Sequence, residues 1–331
     1  MRKKALIVGD LNPYKVLDGG IERLLIDYQT HVFSDYDVYH LIYESNGQVE
    51  LFHYGVPVPG EITTQQLLKL NSEFVLFFNY DTDHQGDDFI QPLRDRVPSF
   101  SFVQKHPVET LSDKFFRGIL TFSSERRHKN VLVVGGSFDP KVFKKNRKSE
   151  EFIVCVARVT PYKGQLELAG GYKKRIYDKY KLPLYLVGGT NHVDFFPRLH
   201  KYIDNVSVHS TIDPKDLGAL TNWWNGRQIA AICNRARMFV LASPQETFCI
   251  ALVEAMACGT TCVVNGDYPG FKARELRPHV YGNIRGKRGN TLDLVEEVLR
   301  REIRIDASEW ARRYSLTVIK KTVLAFIRER L

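Results

Sequence analysis

The chain has 331 residues, enough for two domains that each bury a core. With 44% apolar and 26% charged residues it has globular proportions, which excludes wholly disordered, collagen-like or fibrous architectures. The net charge of +9 is uneven: residues 1–150 hold 19 Lys and Arg against 20 Asp and Glu, whereas the rest hold 28 against 18. The second half is therefore the one that would attract an anionic ligand, nucleic acid or an acidic membrane surface, or simply present a solvated basic face.

Met1-Arg2-Lys3-Lys4 leads into a short apolar run that stops at Asp10, which reads as a buried strand rather than a signal peptide. No run approaches the roughly 18 uncharged apolar residues that span a bilayer. Along the first half, strand-like runs fall at 5–8, 38–42, 74–78, 99–103, 119–122 and 131–134. In the second half they fall at 152–156, 184–187, 206–208, 239–241 and 262–264. Helical stretches are expected near 20–33, 164–180, 214–221, 226–236, 249–258, 291–302 and 308–331. Apolar strands alternating with helices indicate βαβ units and parallel sheets covered on both faces. The pattern occurs twice, with the basic run Lys141–Lys148 between. This predicts a first doubly wound domain over 1–140, a linker over 141–150 and a second doubly wound domain over 151–307. In such sheets ligands bind beyond the carboxyl ends of the strands.

Five cysteines, Cys155, Cys233, Cys249, Cys258 and Cys262, are odd in number and mostly sit in apolar runs, so they read as reduced core thiols in a cytoplasmic protein. Three motifs can carry chemistry. Gly19-Gly20 in Asp18-Gly19-Gly20-Ile21-Glu22 precedes a helix and lets backbone N–H groups approach a phosphate, without forming G-x-G-x-x-G. Arg158 and Lys163 lie five apart in Ala157-Arg158-Val159-Thr160-Pro161-Tyr162-Lys163-Gly164, directly after a strand; a guanidinium fork and a mobile ammonium suit a diphosphate, though two surface cations would read the same way. Ser243-Pro244-Gln245-Glu246-Thr247-Phe248-Cys249-Ile250 ends a strand and opens a small-residue helix holding Glu254. Two acids in so apolar a stretch are costly unless they are bonded, and a carboxylate can hold sugar or ribose hydroxyls.

Taken together, these residues resemble the retaining nucleotide-sugar glycosyltransferases of glycosyltransferase family 4. The likeness rests on Arg158 with Lys163-Gly164, Gly188-Gly189 after a strand, Glu246 and Glu254 with seven residues between, the segment Glu254-Ala255-Met256-Ala257-Cys258-Gly259, and Gly19-Gly20-Ile21-Glu22. The resemblance implies a GT-B fold, two Rossmann-like doubly wound domains facing across a cleft. It implies that Arg158 and Lys163 bind the diphosphate, aided by amides at Gly19, Gly20, Phe248, Cys249 and Ile250. Gly188 and Thr247 would line the donor site, Glu246 would bond sugar hydroxyls and Glu254 would hold the ribose. Ile212, in His209-Ser210-Thr211-Ile212, would lie at the base-binding edge, and His106, in Gln104-Lys105-His106-Pro107, would face the donor sugar. Cys249 stands where the family has glycine and Thr261 where it has proline, and Gly266–Phe271 lacks the acid usual after its proline; these alter the sugar pocket.

Asp81-Thr82-Asp83-His84 resembles a D-x-D metal motif, but two fixed cations make a metal unnecessary, so neither metal nor cofactor is expected. Trp223-Trp224 reads as helix packing ahead of sugar stacking. The stretch 308–331 is expected to pack on the first domain; being basic and amphipathic, it also admits peripheral contact with the inner face of a membrane. The implied activity moves a hexose from a nucleoside diphosphate sugar, UDP-glucose favoured, to a saccharide or lipid-linked acceptor in glycan or polysaccharide synthesis, by a monomer or weak homodimer that binds no nucleic acid. The acceptor pocket is expected in loops 10–18, 44–65 and 79–90. The alternatives are a nucleotide-sugar epimerase, a phosphorylase, or a non-catalytic sugar-nucleotide-binding protein.

Overall fold

A computed structural model describes residues 2–9, 20–43, 48–78, 89–103, 116–122, 130–146, 151–189, 195–203, 208–210 and 226–331. The chain divides into two compact units. The first takes Met1–Gly136 and Leu316–Leu331, the second Ser137–Ser315.

In the first unit the strands are β1 (Lys4–Gly9), β2 (Asp37–Tyr43), β3 (Val49–His53), β4 (Val56–Pro57), β5 (Phe74–Phe78), β6 (Ser99–Val103), β7 (Gly118–Thr121) and β8 (Val131–Val133). They lie in the order β4-β3-β2-β1-β5-β6-β7-β8. β1 is flanked by two parallel neighbours, so Ile7 pairs with His40 on one side and Leu76 on the other. Every residue of β5 and β6 is buried; β5 accordingly reads as an unbroken apolar run, whereas β6 buries Ser99 and Ser101 among Phe100, Phe102 and Val103.

One edge departs from the expected parallel sheet. β3 and β4 run antiparallel, with Leu41 opposite Leu51 and Phe52 opposite Pro57. The five residues between β2 and β3 are too few for a parallel crossover, which takes a dozen or more. Tyr54 and Gly55, both with positive φ (50° and 79°), then close the β3–β4 hairpin in the conformation that two-residue hairpin turns require. The stretch 44–65, expected to be an acceptor loop, thus contributes a sheet edge.

The core of this unit is aromatic. Phe78 stacks on Phe102 with centroids 4.6 Å apart, and Tyr28 meets both rings and Phe33 edge-on. The helix Leu316–Arg328 belongs here: Phe326 packs edge-on to Phe100 and lies so close to Gly118 that a Cβ there would sit 2.5 Å from the ring. Lys320 donates to Asp35 Oδ1 and Ser34 Oγ, and Arg117 to the carbonyls of Arg330 and Leu331.

In the second unit the strands are β9 (Phe152–Val156), β10 (Leu184–Val187), β11 (Val208–Ser210), β12 (Ala236–Leu241), β13 (Cys262–Asn265) and β14 (Tyr281–Asn283), all parallel, in the order β11-β10-β9-β12-β13-β14. Its core is aliphatic and sulfur-rich, around Ile153, Cys155, Leu184, Leu186, Met238, Val240 and Val263. All five thiols are free and buried.

Two boundaries differ from the sequence reading. Residues 137–146, read as domain end and linker, are part of the second unit. Phe138 and Phe143 are buried there against each other, and the Asn234 side chain accepts from the Asn146 amide and donates to the Lys144 carbonyl. The stretch 308–331 is not one element on the first unit. Trp310 and Tyr314 join the ring cluster of Phe248 and Phe271 in the second unit, and extended Ser315 bridges Phe138 before the helix Leu316–Arg328 begins. That helix buries Leu316, Ile319, Val323, Leu324, Phe326 and Ile327. Among the described residues no helix is long and apolar enough to cross a membrane.

Candidate active site

At the carboxyl end of β9 the chain turns through Arg158–Thr160 into the short 3-10 turn Pro161–Lys163 and the helix Gln165–Ala169. Gly164 makes this possible. Its φ is +74°, and a Cβ would lie 2.2 Å from the carbonyl oxygen of Ala242, the residue after β12. Gly188, at the end of β10, likewise leaves no room for a Cβ, which would lie 2.0 Å from the Ala157 oxygen. The loop after β9 is thus clamped between its two neighbouring strand ends. Gln165 Nε2 fastens it further by donating to the Arg158 carbonyl at 2.8 Å.

This clamping carries Lys163 to Glu246, 83 positions along the chain. Lys163 Nζ donates to Glu246 Oε1 at 2.6 Å, and both side chains are largely buried. Ser243 Oγ donates to the same oxygen at 2.7 Å. The Glu246 loop is itself anchored: its amide donates to the Asp267 carbonyl, the Asp267 amide to the Pro244 carbonyl, and Gly270 to Thr247. The Tyr268 hydroxyl donates to the Ser243 carbonyl at 3.0 Å, and Phe248 stacks on Phe271 at 4.4 Å. Arg158, half-buried on the same loop as Lys163, makes no ion pair among the described residues, so its charge is open to an anion.

Cys249 precedes the helix Ile250–Ala257, whose N-terminus faces this loop cluster. Burial pushes the Cys249 thiol up, and pushes the nearby Cys155 thiol up to about 12, with the Glu246 charge adding to both; the thiols stay neutral and serve as small apolar walls. Glu254 lies inside that helix, 1% exposed. It stands near Cys233 of the helix Gly226–Arg235, whose thiol is raised by Cys258, by burial and then by Glu254.

Of the residues the sequence singled out, Arg158, Lys163, Gly188, Glu246, Thr247, Phe248, Cys249 and Ile250 therefore converge at one end of one sheet. Glu254 sits deeper in the helix body. Gly20 is the first residue of the helix Gly20–Asp27 in the first unit. Gly19, His106, Ile212, Asp81–His84 and Trp223-Trp224 lie outside the described residues. Ser243 and Tyr268 have no site role in the sequence reading, and Gly164 enters it only as the partner of Lys163 in the motif; for Ser243 the available signal is a hydroxyl three positions before Glu246 at a strand end. A separate concavity of about 540 Å³ opens at the amino-terminal edge of the same sheet, between segment 139–146 and the helix Gly226–Arg235, with Lys141, Lys144, Arg227 and Arg235 on its walls. Among the described residues no three His, Cys, Asp or Glu side chains are grouped to hold a metal ion.

Two doubly wound units of this kind, with loops gathered at the carboxyl ends of parallel strands, define the GT-B fold. Residues 138–282 match the family described as Glycosyl transferases group 1. Among solved structures, the chain is similar to a sucrose-phosphate synthase from Thermosynechococcus elongatus (TM-score 0.69, 12% identity, 99% of each chain). It is similar also to a glycosyltransferase from Rickettsia africae (0.67, 14%, 99% of this chain and 98% of that one) and to HepE of Anabaena solved with UDP-glucose (0.68, 14%, 98% and 99%). No curated protein sequence matches the chain.

Proposed function

We propose that the chain is a retaining hexosyltransferase of the glycosyltransferase family 4 type, moving a hexose from a nucleoside diphosphate sugar to a hydroxyl of a saccharide or lipid-linked glycan. UDP-glucose is the favoured donor. The observation that carries this reading is the meeting of Lys163 and Glu246 at the carboxyl end of β9 and β12, with Arg158 on the same loop as Lys163. The match over residues 138–282 and the likeness to a structure holding UDP-glucose support it.

In this reading Arg158 and Lys163 receive the diphosphate, whose negative charge grows as the bond to the anomeric carbon breaks and the electron pair moves to the β-phosphate oxygen. Glu246 accepts hydrogen bonds from donor-sugar hydroxyls, which orients the ring, and Glu254 holds the ribose. The amides of Phe248–Ile250 assist with the phosphates, and Gly188 and Thr247 line the site; the roles that the family resemblance implies for Gly19, Gly20, Ile212 and His106 are carried over as part of this proposal. The acceptor oxygen bonds to the anomeric carbon on the departing face, and its proton passes to the leaving phosphate, so configuration is retained. Fixed cations supply the charge that a divalent ion supplies elsewhere, so chelation by EDTA is expected to leave turnover unchanged.

The test is incubation with UDP-glucose, UDP-N-acetylglucosamine, GDP-mannose and ADP-glucose. Free nucleoside diphosphate with a retained glycosidic product is expected. An isomerised nucleotide sugar would mark an epimerase, and no turnover of any donor would overturn the reading. Lys163→Ala and Glu246→Ala are each expected to slow turnover about a hundred- to a thousandfold while the protein stays folded, the usual cost of one such stabilising group (roughly 2.7–4 kcal/mol).

A further inference from the structure

We propose that Ser243 is a positioning residue for this transfer: its hydroxyl holds one oxygen of Glu246 so that the other is presented to the donor sugar. The inference rests on the glycosyltransferase reading above.

Both hydrogen bonds that Glu246 accepts from side chains go to Oε1, one from Lys163 Nζ at 2.6 Å and one from Ser243 Oγ at 2.7 Å. Among the described residues no group bonds to Oε2. The carboxylate is thus fixed at one oxygen and open at the other, as a group must be if it is to take a hydroxyl from a ligand without reorganising.

The two donors differ in what they can be relied on to do. Lys163 is an ammonium on a flexible four-carbon stem, and a diphosphate arriving at the same loop competes for its three protons. Once Lys163 turns wholly or partly to the phosphates, its hold on Glu246 weakens at the moment the sugar needs orienting. Ser243 has no competing task. It is fully buried, sits two residues beyond β12, and has its own carbonyl tied down by the buried Tyr268 hydroxyl at 3.0 Å. A hydroxyl on a fixed strand end keeps the carboxylate in place while the ammonium is shared. This separates two functions that share one ion pair in the free protein: charge for the leaving group on the Lys163 side, orientation of the sugar on the Ser243 side.

The experiment compares wild type, Ser243→Ala, Glu246→Gln and the double variant, using UDP-glucose or whichever donor of the panel above the wild type turns over. It reads kcat and KM from nucleotide release, the Kd for the free nucleoside diphosphate by calorimetry, and thermal unfolding. Ser243→Ala is expected to lower kcat roughly ten- to thirtyfold, the scale of one hydrogen bond to a charged group. Nucleoside diphosphate affinity should stay within about twofold, because that ligand carries no sugar. In the Glu246→Gln background, adding Ser243→Ala should change kcat less than about twofold, since the hydroxyl acts through Glu246. Tyr268→Phe, which frees the Ser243 carbonyl but keeps the hydroxyl, should give a smaller loss of the same kind and carries the test if Ser243→Ala does not fold. Unchanged kcat in Ser243→Ala, an equal loss in the Glu246→Gln background, or a parallel loss of nucleotide affinity would each overturn the proposal. Wild-type protein that turns over no donor would instead overturn the reading of the reaction itself.

Discussion

The two units use related sheets for different ends. In the first, large rings fill the space over β5 and β6, with Phe78 and Phe102 stacked and Tyr28 turned edge-on to both. In the second, the central strands carry Ile153, Cys155, Leu186, Met238 and Val240, and their ends approach so closely that glycine is required at Gly164 and Gly188. Big rings hold a sheet by area buried per residue. Small residues allow loops from different strands to meet backbone to backbone, and it is there that an ammonium and a hydroxyl each come within 2.7 Å of the same carboxylate oxygen. The polar site is a consequence of how tightly the second sheet's ends close.

The sharpest way to break that contrast is to remove a ring from the first unit. Phe102 is fully buried against Phe78, Tyr28 and Phe122. Phe102→Ala is expected to cost about 3–5 kcal/mol of unfolding free energy, measured by denaturant titration, without changing the geometry around Lys163. The opposite test acts on the second unit. Gly164→Ala would force a Cβ to 2.2 Å from a backbone carbonyl in a left-handed conformation, and a backbone atom cannot swing away as a side chain can. About 2–3 kcal/mol of destabilisation is expected. Nucleotide binding and turnover should fall further than that stability loss explains, because any relief moves the Lys163 loop off Ala242. Retention of full turnover in Gly164→Ala would show that the close approach is not what sets the site.

Much of this was legible in the sequence, for stated reasons. Strands buried on both faces are unbroken apolar runs, so β5 and β9 fall at the residues expected; β10, apolar with Tyr185 partly buried, and β6, with Ser99 and Ser101 among its apolar residues, fall there too. Elements held by something else escaped. β3 carries Glu50 and His53 and pairs antiparallel at an edge, and β14 is tied to β13 by the Asn283 side chain donating to Asn265. The helix Thr64–Lys69 is short, yet its start was written in Thr63 and Gln66, which form a reciprocal capping box. Segment 141–146 reads as solvated from its lysines, although Phe143 inserts into the second unit. At the site, motif spacing marked Lys163 and Glu246, but not that they would share an oxygen with Ser243, because that depends on the approach of two strand ends that no local pattern records.

The comparison also separates the units by their response to acid. His40 lies in β2 of the first unit, wholly buried between β1 and β3, and burial alone lowers its pKa to about 4 from the usual 6.5. In the folded state the ring is therefore neutral until well below pH 5, whereas in the unfolded chain it takes a proton near pH 6.5. Between those values the unfolded state binds more protons, so stability is full above about pH 6.5 and falls as the pH drops towards 4. From pH 7 to pH 5 this single group is expected to remove about 2 kcal/mol. His40→Leu, which keeps the volume and removes the titration, should flatten that part of the pH–stability curve measured by denaturant titration at the two pH values. The ion pairs of exposed carboxylates in both units contribute only weakly over this range, being screened and held below their usual pKa by their basic partners, as for Asp35 with Lys320 and Glu296 with Lys179. If His40→Leu loses as much stability as wild type between pH 7 and pH 5, the acid sensitivity belongs to other groups and the buried imidazole is not the first unit's weak point.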